Sequence, residues 1–317
     1  MAPLARIPVE ITLSLHTNTA THDNWSTWIL RQRHGDDRAH ERNVRVEITK
    51  YADRVLDSVR LRPGMTLADI GTGDGLVGLR AIERAGASLN VVMTDISLPL
   101  LQHAEATARS RGVSGQCAFV HGSAERLEDI ANASVDAATM RAVLAYVEDK
   151  PAAMRELFRI LKPGGRFAIA EPILRDEALE VCMLKRLVDE GTFHADDPFF
   201  PLLLRCRAAQ FPDTEEKLRS MPITNYGERD LVRYAMDAGF TDIHLELHID
   251  VRTEDCLPWE MFIRTSPHPL APPLDEILDT AFTRDERAYL EVRMRAIFES
   301  GKQLGAERIA YLTAKRA

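Results

Sequence analysis

The sequence predicts an α/β protein built on a doubly wound parallel sheet. Two observations carry that prediction. Between about Met65 and Glu171, short apolar runs alternate with helix-period segments, the rhythm of a βαβ array. One of the apolar runs, Leu67 to Ile70, also breaks off abruptly in a glycine cluster.

The elements follow in order. Leu67 to Ile70 is the first strand, Asn90 to Asp95 the second, Cys117 to His121 the third, Val135 to Met140 the fourth and Arg166 to Glu171 the fifth. Between the last two, Met154, Leu157, Phe158 and Leu161 recur at i, i+3, i+4 and i+7, one apolar helix face. That helix starts near Pro151, where a missing N–H costs nothing, and stops at Lys162-Pro163-Gly164-Gly165. Right-handed crossovers between parallel strands place a ligand at the carboxyl edge of the sheet.

The flanks depart from this rhythm. His22 to Leu30 reads as an amphipathic helix and Arg31 to Arg42 as a polar stretch. Residues 174–225 are helical, with an interruption at Asp197-Pro198-Phe199-Phe200-Pro201. The rhythm returns with a helix through Leu231, Tyr234 and Ala235, closed by Gly239, and a strand alternating at Ile243, Leu245, Leu247 and Ile249. A loop from Pro267 to Pro273, a helix near 284–299 and a last strand from Ile309 to Thr313 complete the chain. The expected organisation is a helical lid over 1–50, a core over 51–173, an inserted lid or substrate cap over 174–225, and completion of the core over 226–317.

Composition excludes several classes. The 317 residues carry 40 Lys and Arg against 48 Asp and Glu, a net charge of −8 with no basic block, which argues against nucleic acid as partner. At 45% hydrophobic and 28% charged, the chain can bury a full core. No apolar run approaches the roughly 20 residues of a membrane helix, and the first residues do not read as a signal peptide. A soluble, cytoplasmic protein is expected, as a monomer or homodimer. Cys117, Cys182, Cys206 and Cys256 are too few and too scattered for a disulfide framework or a metal knuckle. No metal is expected either at His34-Gly35-Asp36-Asp37-Arg38-Ala39-His40 or at His194-Ala195-Asp196-Asp197, because both read as polar loops without fixed ligand geometry.

The sharpest signal is Asp69-Ile70-Gly71-Thr72-Gly73-Asp74-Gly75. Three glycines let the backbone approach a ligand where a Cβ would collide. The third glycine does not keep the dinucleotide spacing GxGxxG, since position 76 is Leu76. An acid two residues before the first glycine repels a pyrophosphate and welcomes an ammonium group.

With these residues the sequence resembles the class I S-adenosylmethionine (SAM)-dependent methyltransferases, in their small-molecule branch. The likeness covers about residues 50–175 closely and 225–317 more loosely. It implies a Rossmann-like seven-stranded sheet with the last strand antiparallel and a helical lid. It also implies SAM as cofactor, with S-adenosylhomocysteine (SAH) as its product. On this likeness Gly71, Thr72, Gly73 and Gly75 lie beside the methionine moiety and Asp69 anchors its amine, often through water. Asp95, 20 residues after Gly75, takes both ribose hydroxyls, with Ile96 beside it. Ser123 and Ala124 meet the adenine edge, while Met140 and Arg141 line the sulfonium end. Leu161-Lys162-Pro163-Gly164-Gly165 matches the turn before the fifth strand.

The acceptor side is read residue by residue. Trp25 and Trp28, three apart on one helix face, either pack the lid or wall the substrate pocket around the sulfonium. Glu171 faces the carboxyl edge as a substrate-binding candidate. Arg54 could reach the cofactor carboxylate. His194, Arg141 and Tyr146 are the catalytic candidates: His194 as a base by type, Arg141 as a partner for an anionic acceptor. The expected reaction is in-line methyl transfer to O or N of a small molecule, possibly a secondary metabolite. Thiol or arsenite methylation is one alternative, and a SAM-binding protein that transfers nothing is another.

Overall fold

The computed structural model describes residues 23–194, 196–251, 257–300 and 306–317. The chain opens with α1 (Asn24–Leu30), a 3-10 turn (Gln32–His34) and α2 (Arg38–Val59). Next come β1 (Thr66–Ile70), α3 (Leu76–Ala85), β2 (Asn90–Asp95), α4 (Leu98–Ser110), β3 (Cys117–His121), β4 (Val135–Arg141), α5 (Lys150–Ile160) and β5 (Leu161–Pro172). It continues through α6 (Arg175–Asp189), α7 (Phe199–Ala208), α8 (Glu215–Ser220), α9 (Glu228–Asp237) and β6 (Phe240–Val251). Three helices, α10 (Trp259–Phe262), α11 (Leu274–Ala281) and α12 (Arg284–Glu299), precede β7 (Ala306–Arg316).

All seven strands form one sheet in the order β3-β2-β1-β4-β5-β7-β6. The first five run parallel, and β7 is antiparallel to both β5 and β6. Strand order reverses between β1 and β4, which opens a crevice at their carboxyl ends. Leu67, Ala68, Asp69 and Ile70 are all buried because helices cover both faces of the sheet. One layer, α2, α3 and α4, packs Ile48, Ala52, Val55, Leu79, Ile82 and Ala104 on one face. The other, α5 and α9, packs Met154, Leu157, Leu231 and Ala235 on the opposite face.

Side-chain caps start the helices where the sequence supplies an oxygen. Asp23 and Ser26 make a capping box on α1, Asp37 accepts from Ala39 and His40 at the head of α2, and Ser97 and Asp149 cap α4 and α5. Two expectations change here. The polar stretch 31–42 is a 3-10 turn followed by the first turns of a 22-residue helix. β5 begins at Leu161, because Leu161 pairs with Val135 before the register slips and Arg166 meets Ala137.

The C-terminal part divides. α9, β6 and β7 complete the sheet, as expected. α10, α11 and α12 pack instead on α7, through Phe199, Leu202, Trp259, Leu278, Leu290 and Phe298. Residues 174–225 therefore share a helical cluster with residues 257–299. No helix among the described residues is long and apolar enough to cross a membrane.

Candidate functional site

A cavity of about 1160 Å³ runs along the carboxyl edge of the sheet. Its floor is Gly71 and Gly73 after β1, Asp95 and Ile96 at β2, Gly122 to Glu125 after β3, and Arg141 to Val143 after β4. It continues past Ala170 and Pro172 of β5 to Arg308 and Ile309 of β7. The roof is α1 through Trp25, Trp28 and Ile29, with Arg33 of the 3-10 turn and one face of α2. That face presents His40, Asn43, Val44, Glu47, Ile48 and Tyr51 at helical spacing. Ser266, Pro267 and Pro269 of the proline loop close the rim.

The glycine turn is built for close approach. Gly71 takes φ +64°, and a Cβ there would strike the Val143 side chain. Gly73 takes φ +57°, and its Cβ would meet only Ile29 of the lid. Its backbone N–H donates to Asp95 Oδ2 at 2.7 Å, while Ser97 N–H donates to Oδ1 at 2.8 Å. Burial pushes the Asp95 carboxyl up, against the pull of these two donors.

Asp69 does not reach the cavity. It is buried beneath the turn, where its carboxylate accepts Thr72 Oγ1 at 2.6 Å, Thr139 Oγ1 at 2.9 Å and Gly78 N–H at 3.0 Å. It ties β1, the turn, β4 and α3 together, and burial pushes it up to about 6. The same spacing that suggests an amine anchor also builds this staple. Thr72 and Gly75 are likewise buried in the turn, and Met140 is a core residue at the end of β4.

The other expected cofactor residues meet in the cavity: Gly71, Gly73, Asp95, Ile96, Ser123, Ala124 and Arg141. Ile96 is 58% exposed, an apolar side chain placed to lie against a flat ring. The residues at this edge suit SAM: Asp95 offers a carboxylate that could take a diol, Ile96 and Ala124 an apolar face that could take a flat ring, and the glycine turn an open backbone.

The acceptor-side expectations divide in the same way. Trp25, Trp28 and Tyr146 line the cavity. Trp25 stands edge-on to Tyr146 with ring centroids 5.1 Å apart, and Trp28 Nε1 donates to the Ser266 carbonyl at 3.0 Å. Burial and the nearby Glu171 raise the Tyr146 phenol, which keeps it protonated and unsuited to act as a base.

Glu171 is fully buried below the cavity, a correction that follows from strand alternation: Ala170 and Pro172 face the cavity and Glu171 does not. Its carboxylate accepts Val143 N–H at 3.0 Å and Ala145 N–H at 3.2 Å, holding the turn after β4, and burial pushes it up to about 7. His194 is exposed between α6 and α7 and does not line the cavity, so the structure does not bring it to the reaction. Arg54 is taken by Glu246 and the Tyr311 ring.

Cys182 and Cys206 lie in the cap outside the cavity, Cys117 is in β3, and Cys256 falls outside the described residues, as do the first 22 residues. Sequence reasoning missed Arg33, His40, Asn43 and Tyr51. The recurrence of Asn43, Val44, Glu47, Ile48 and Tyr51 at i, i+1, i+4, i+5 and i+8 was the available signal.

Residues 68–169 match the family described as Methyltransferase domain. Among curated proteins, the ubiquinone/menaquinone biosynthesis C-methyltransferase UbiE of Rhizobium meliloti is 30% identical over 182 residues, 57% of this chain and 67% of that protein. UbiE of Brucella anthropi is 30% identical over 179 residues, 56% of this chain and 64% of that protein. The chain thus spans about two thirds of the length of these relatives. Among solved structures, the protein in complex with the Haloferax volcanii Trm112 methyltransferase activator has the same fold. The TM-score is 0.50 at 15% identity, over 93% of this chain and 98% of that one. A parallel sheet extended by an antiparallel strand pair, with a glycine turn after β1 and a carboxylate at the end of β2, is a SAM-binding fold. The chain belongs to the class I SAM-dependent methyltransferases.

Proposed function

We propose that the chain catalyses transfer of a methyl group from SAM to a small acceptor enclosed in the far half of the cavity. The observation that carries this is the continuity of the cavity. One space joins the Asp95 and Gly71 edge to the wall of Ile173, Leu174, Arg308 and Ile309, leaving room beside the cofactor for a second molecule. Bound SAM supplies an electrophilic methyl on a sulfonium. The residues of the chain supply enclosure and alignment. Trp25, Trp28 and Ile29 roof the reaction against water, and α2 together with β5 and β7 sets the approach of the nucleophile.

A protonated oxygen or nitrogen acceptor must lose its proton, and among the described residues His40 is the imidazole that lines the cavity. Burial and the neighbouring His34 lower its pKa, so it stands neutral and able to accept a proton at neutral pH. A roofed cavity on a chain with net charge −8 suits a compact metabolite better than nucleic acid. A second reading, transfer to carbon, is favoured by the C-methyltransferase names of the curated relatives. Incubation with methyl-labelled SAM and extract of the host tests both: labelled product with SAH formation is expected, and the carbon shift of the new methyl separates O, N and C. No SAH above background overturns the proposal.

A further inference from the structure

Two guanidinium groups open on the cavity without a partner. Arg33 and Arg141 both line it, and neither makes a hydrogen bond or ion pair with any described residue. The Nε of each is buried without a hydrogen-bond partner among the described residues, and both residues line the cavity. Arg33 holds only an offset position over the Trp28 ring, 5.5 Å from its centre. Burial and the repulsion of Arg141 and Arg45 pull its pKa down to about 10.

Asp74 feels Arg33, Arg45 and Arg141 together, but its carboxylate is already bonded to Arg45. The other acids near Arg141 are Asp69 and Glu171, both saturated by backbone and hydroxyl donors. Burial raises both toward the neutral form, which weakens them as counter-ions. Glu41, the remaining acid near Arg33, lies on the first turn of α2. On the far wall, Glu177 is held by Arg308, Glu307 by Tyr51 and Glu47 by Lys50.

SAM brings a single carboxylate, while two guanidiniums open on the cavity, so a second ligand with an oxyanion can share them. We propose that the methyl acceptor carries an oxyanion, a carboxylate or a phosphate ester, held jointly by Arg33 and Arg141. Planar guanidiniums suit either group because each offers paired N–H donors to two oxygens. Arg33 thereby becomes a specificity residue, set in the roof of the cavity.

This inference rests on the methyltransferase reading, and one calorimetric experiment separates the two. The full chain is titrated with SAH, and the SAH complex is then titrated with benzoate, phenyl phosphate and neutral benzamide. The expected result is SAH binding, then binding of at least one anion and not of benzamide. Arg33→Gln should weaken the anion about tenfold and Arg33→Lys less, with SAH affinity changed less than about twofold. Benzamide binding as well as the anions, no anion binding at all, or an Arg33→Gln effect on SAH instead of the anion overturns the proposal. Failure of the wild-type chain to bind SAH overturns the methyltransferase reading instead. As an independent arm, labelled product made in host extract should be retained on an anion exchanger, and product in the flow-through overturns the inference.

Discussion

The backbone N–H of Gly73 donates to Asp95 Oδ2 at 2.7 Å, which locks the turn after β1 to the carboxylate that ends β2. Ser97 N–H takes the other oxygen at 2.8 Å, so the carboxylate is fixed before any ligand arrives. Each oxygen keeps a further lone pair for a ribose hydroxyl. Asp95→Asn replaces one acceptor with a donor that faces an N–H. SAH affinity should fall about tenfold to a hundredfold by calorimetry, with circular dichroism unchanged. Undiminished affinity would remove Asp95 from the cofactor site.

Gly71 and Gly64 both hold φ in the left-handed region, at +64° and +85°, but their surroundings differ. A Cβ on Gly64 meets nothing, whereas one on Gly71 collides with Val143. Gly64→Ala therefore measures backbone strain alone, about 1 kcal/mol. Gly71→Ala adds the collision and should cost about 2–4 kcal/mol in denaturant unfolding, because Val143 is held by Glu171 and cannot yield freely. Equal losses in the two variants would mean that the turn relaxes around Val143.

His40 sets a pH dependence with a definite sign. Its folded-state pKa lies below the ordinary 6.5, so it is neutral and competent at pH 7 and becomes protonated only in acid. Turnover on a protonated acceptor should be level above about pH 7 and fall as pH drops through the lowered pKa. His40→Gln should reduce the neutral rate about a hundredfold, abolish that acidic limb and leave SAH affinity intact. An acidic limb that survives the substitution would assign it to another group.

The parallel core was legible because strands covered on both faces read as short, largely apolar runs, as Leu67 to Ile70 does around Asp69 and Val91 to Met93 does between polar ends. Side-chain direction was not. Asp69 and Glu171 stand at the carboxyl edge in sequence, yet both turn inward to bind backbone and hydroxyl donors. An acid beside a glycine turn serves a ligand or the turn itself, and only the positions of Thr72, Thr139 and Gly78 decide which. His194 was misplaced for a different reason. It belongs to the cap, whose α7 packs on α10, α11 and α12, far along the chain, and local pattern says nothing about which side of that cluster faces the cavity. Arg33 and His40 fall in a stretch that reads as a polar loop, and only the 3-10 turn and the early start of α2 carry them over the sheet edge.

Glu171 should make stability depend on pH. Its carboxyl sits near 7 in the folded chain against 4.5 as its ordinary value, so the folded state binds the extra proton between those limits. Stability contributed by the protonated form is present below about pH 4.5 and is lost as pH rises through 7. At about 1.4 kcal/mol per pKa unit, the loss is of order 3 kcal/mol. Denaturant unfolding at pH 5 and pH 8 should show a smaller difference for Glu171→Gln than for the wild-type chain. At pH 5 the variant should lose less than about 1 kcal/mol, because the wild-type carboxyl is neutral there and one oxygen, Oε2, accepts from both Val143 and Ala145, as an amide oxygen can. An unchanged pH difference would shift the effect to Asp69, which burial also raises.

Trp28 joins two segments 238 positions apart through the bond from its Nε1 to the Ser266 carbonyl. Ser266 Oγ is itself bonded to the carbonyls of His268 and Ala271, so the proline loop is preset and α1 is pinned against it. Trp28 and Ser266 both line the cavity, so opening of this junction is expected to ease the release of a ligand beneath it. Trp28→Phe keeps most of the apolar area and removes the single donor, a loss of about 1 kcal/mol, or roughly fivefold. That loss should appear as faster SAH release with little change in association, because the open state gains relative to the closed one. Trp25→Ala tests the other half of the roof. It removes the edge-on contact with Tyr146 and unroofs the cofactor edge without touching the pin, so it should weaken SAH binding and also expose the cavity to water. Release of labelled SAH by rapid filtration distinguishes them. If Trp28→Phe releases SAH at the wild-type rate, α1 is not the gate.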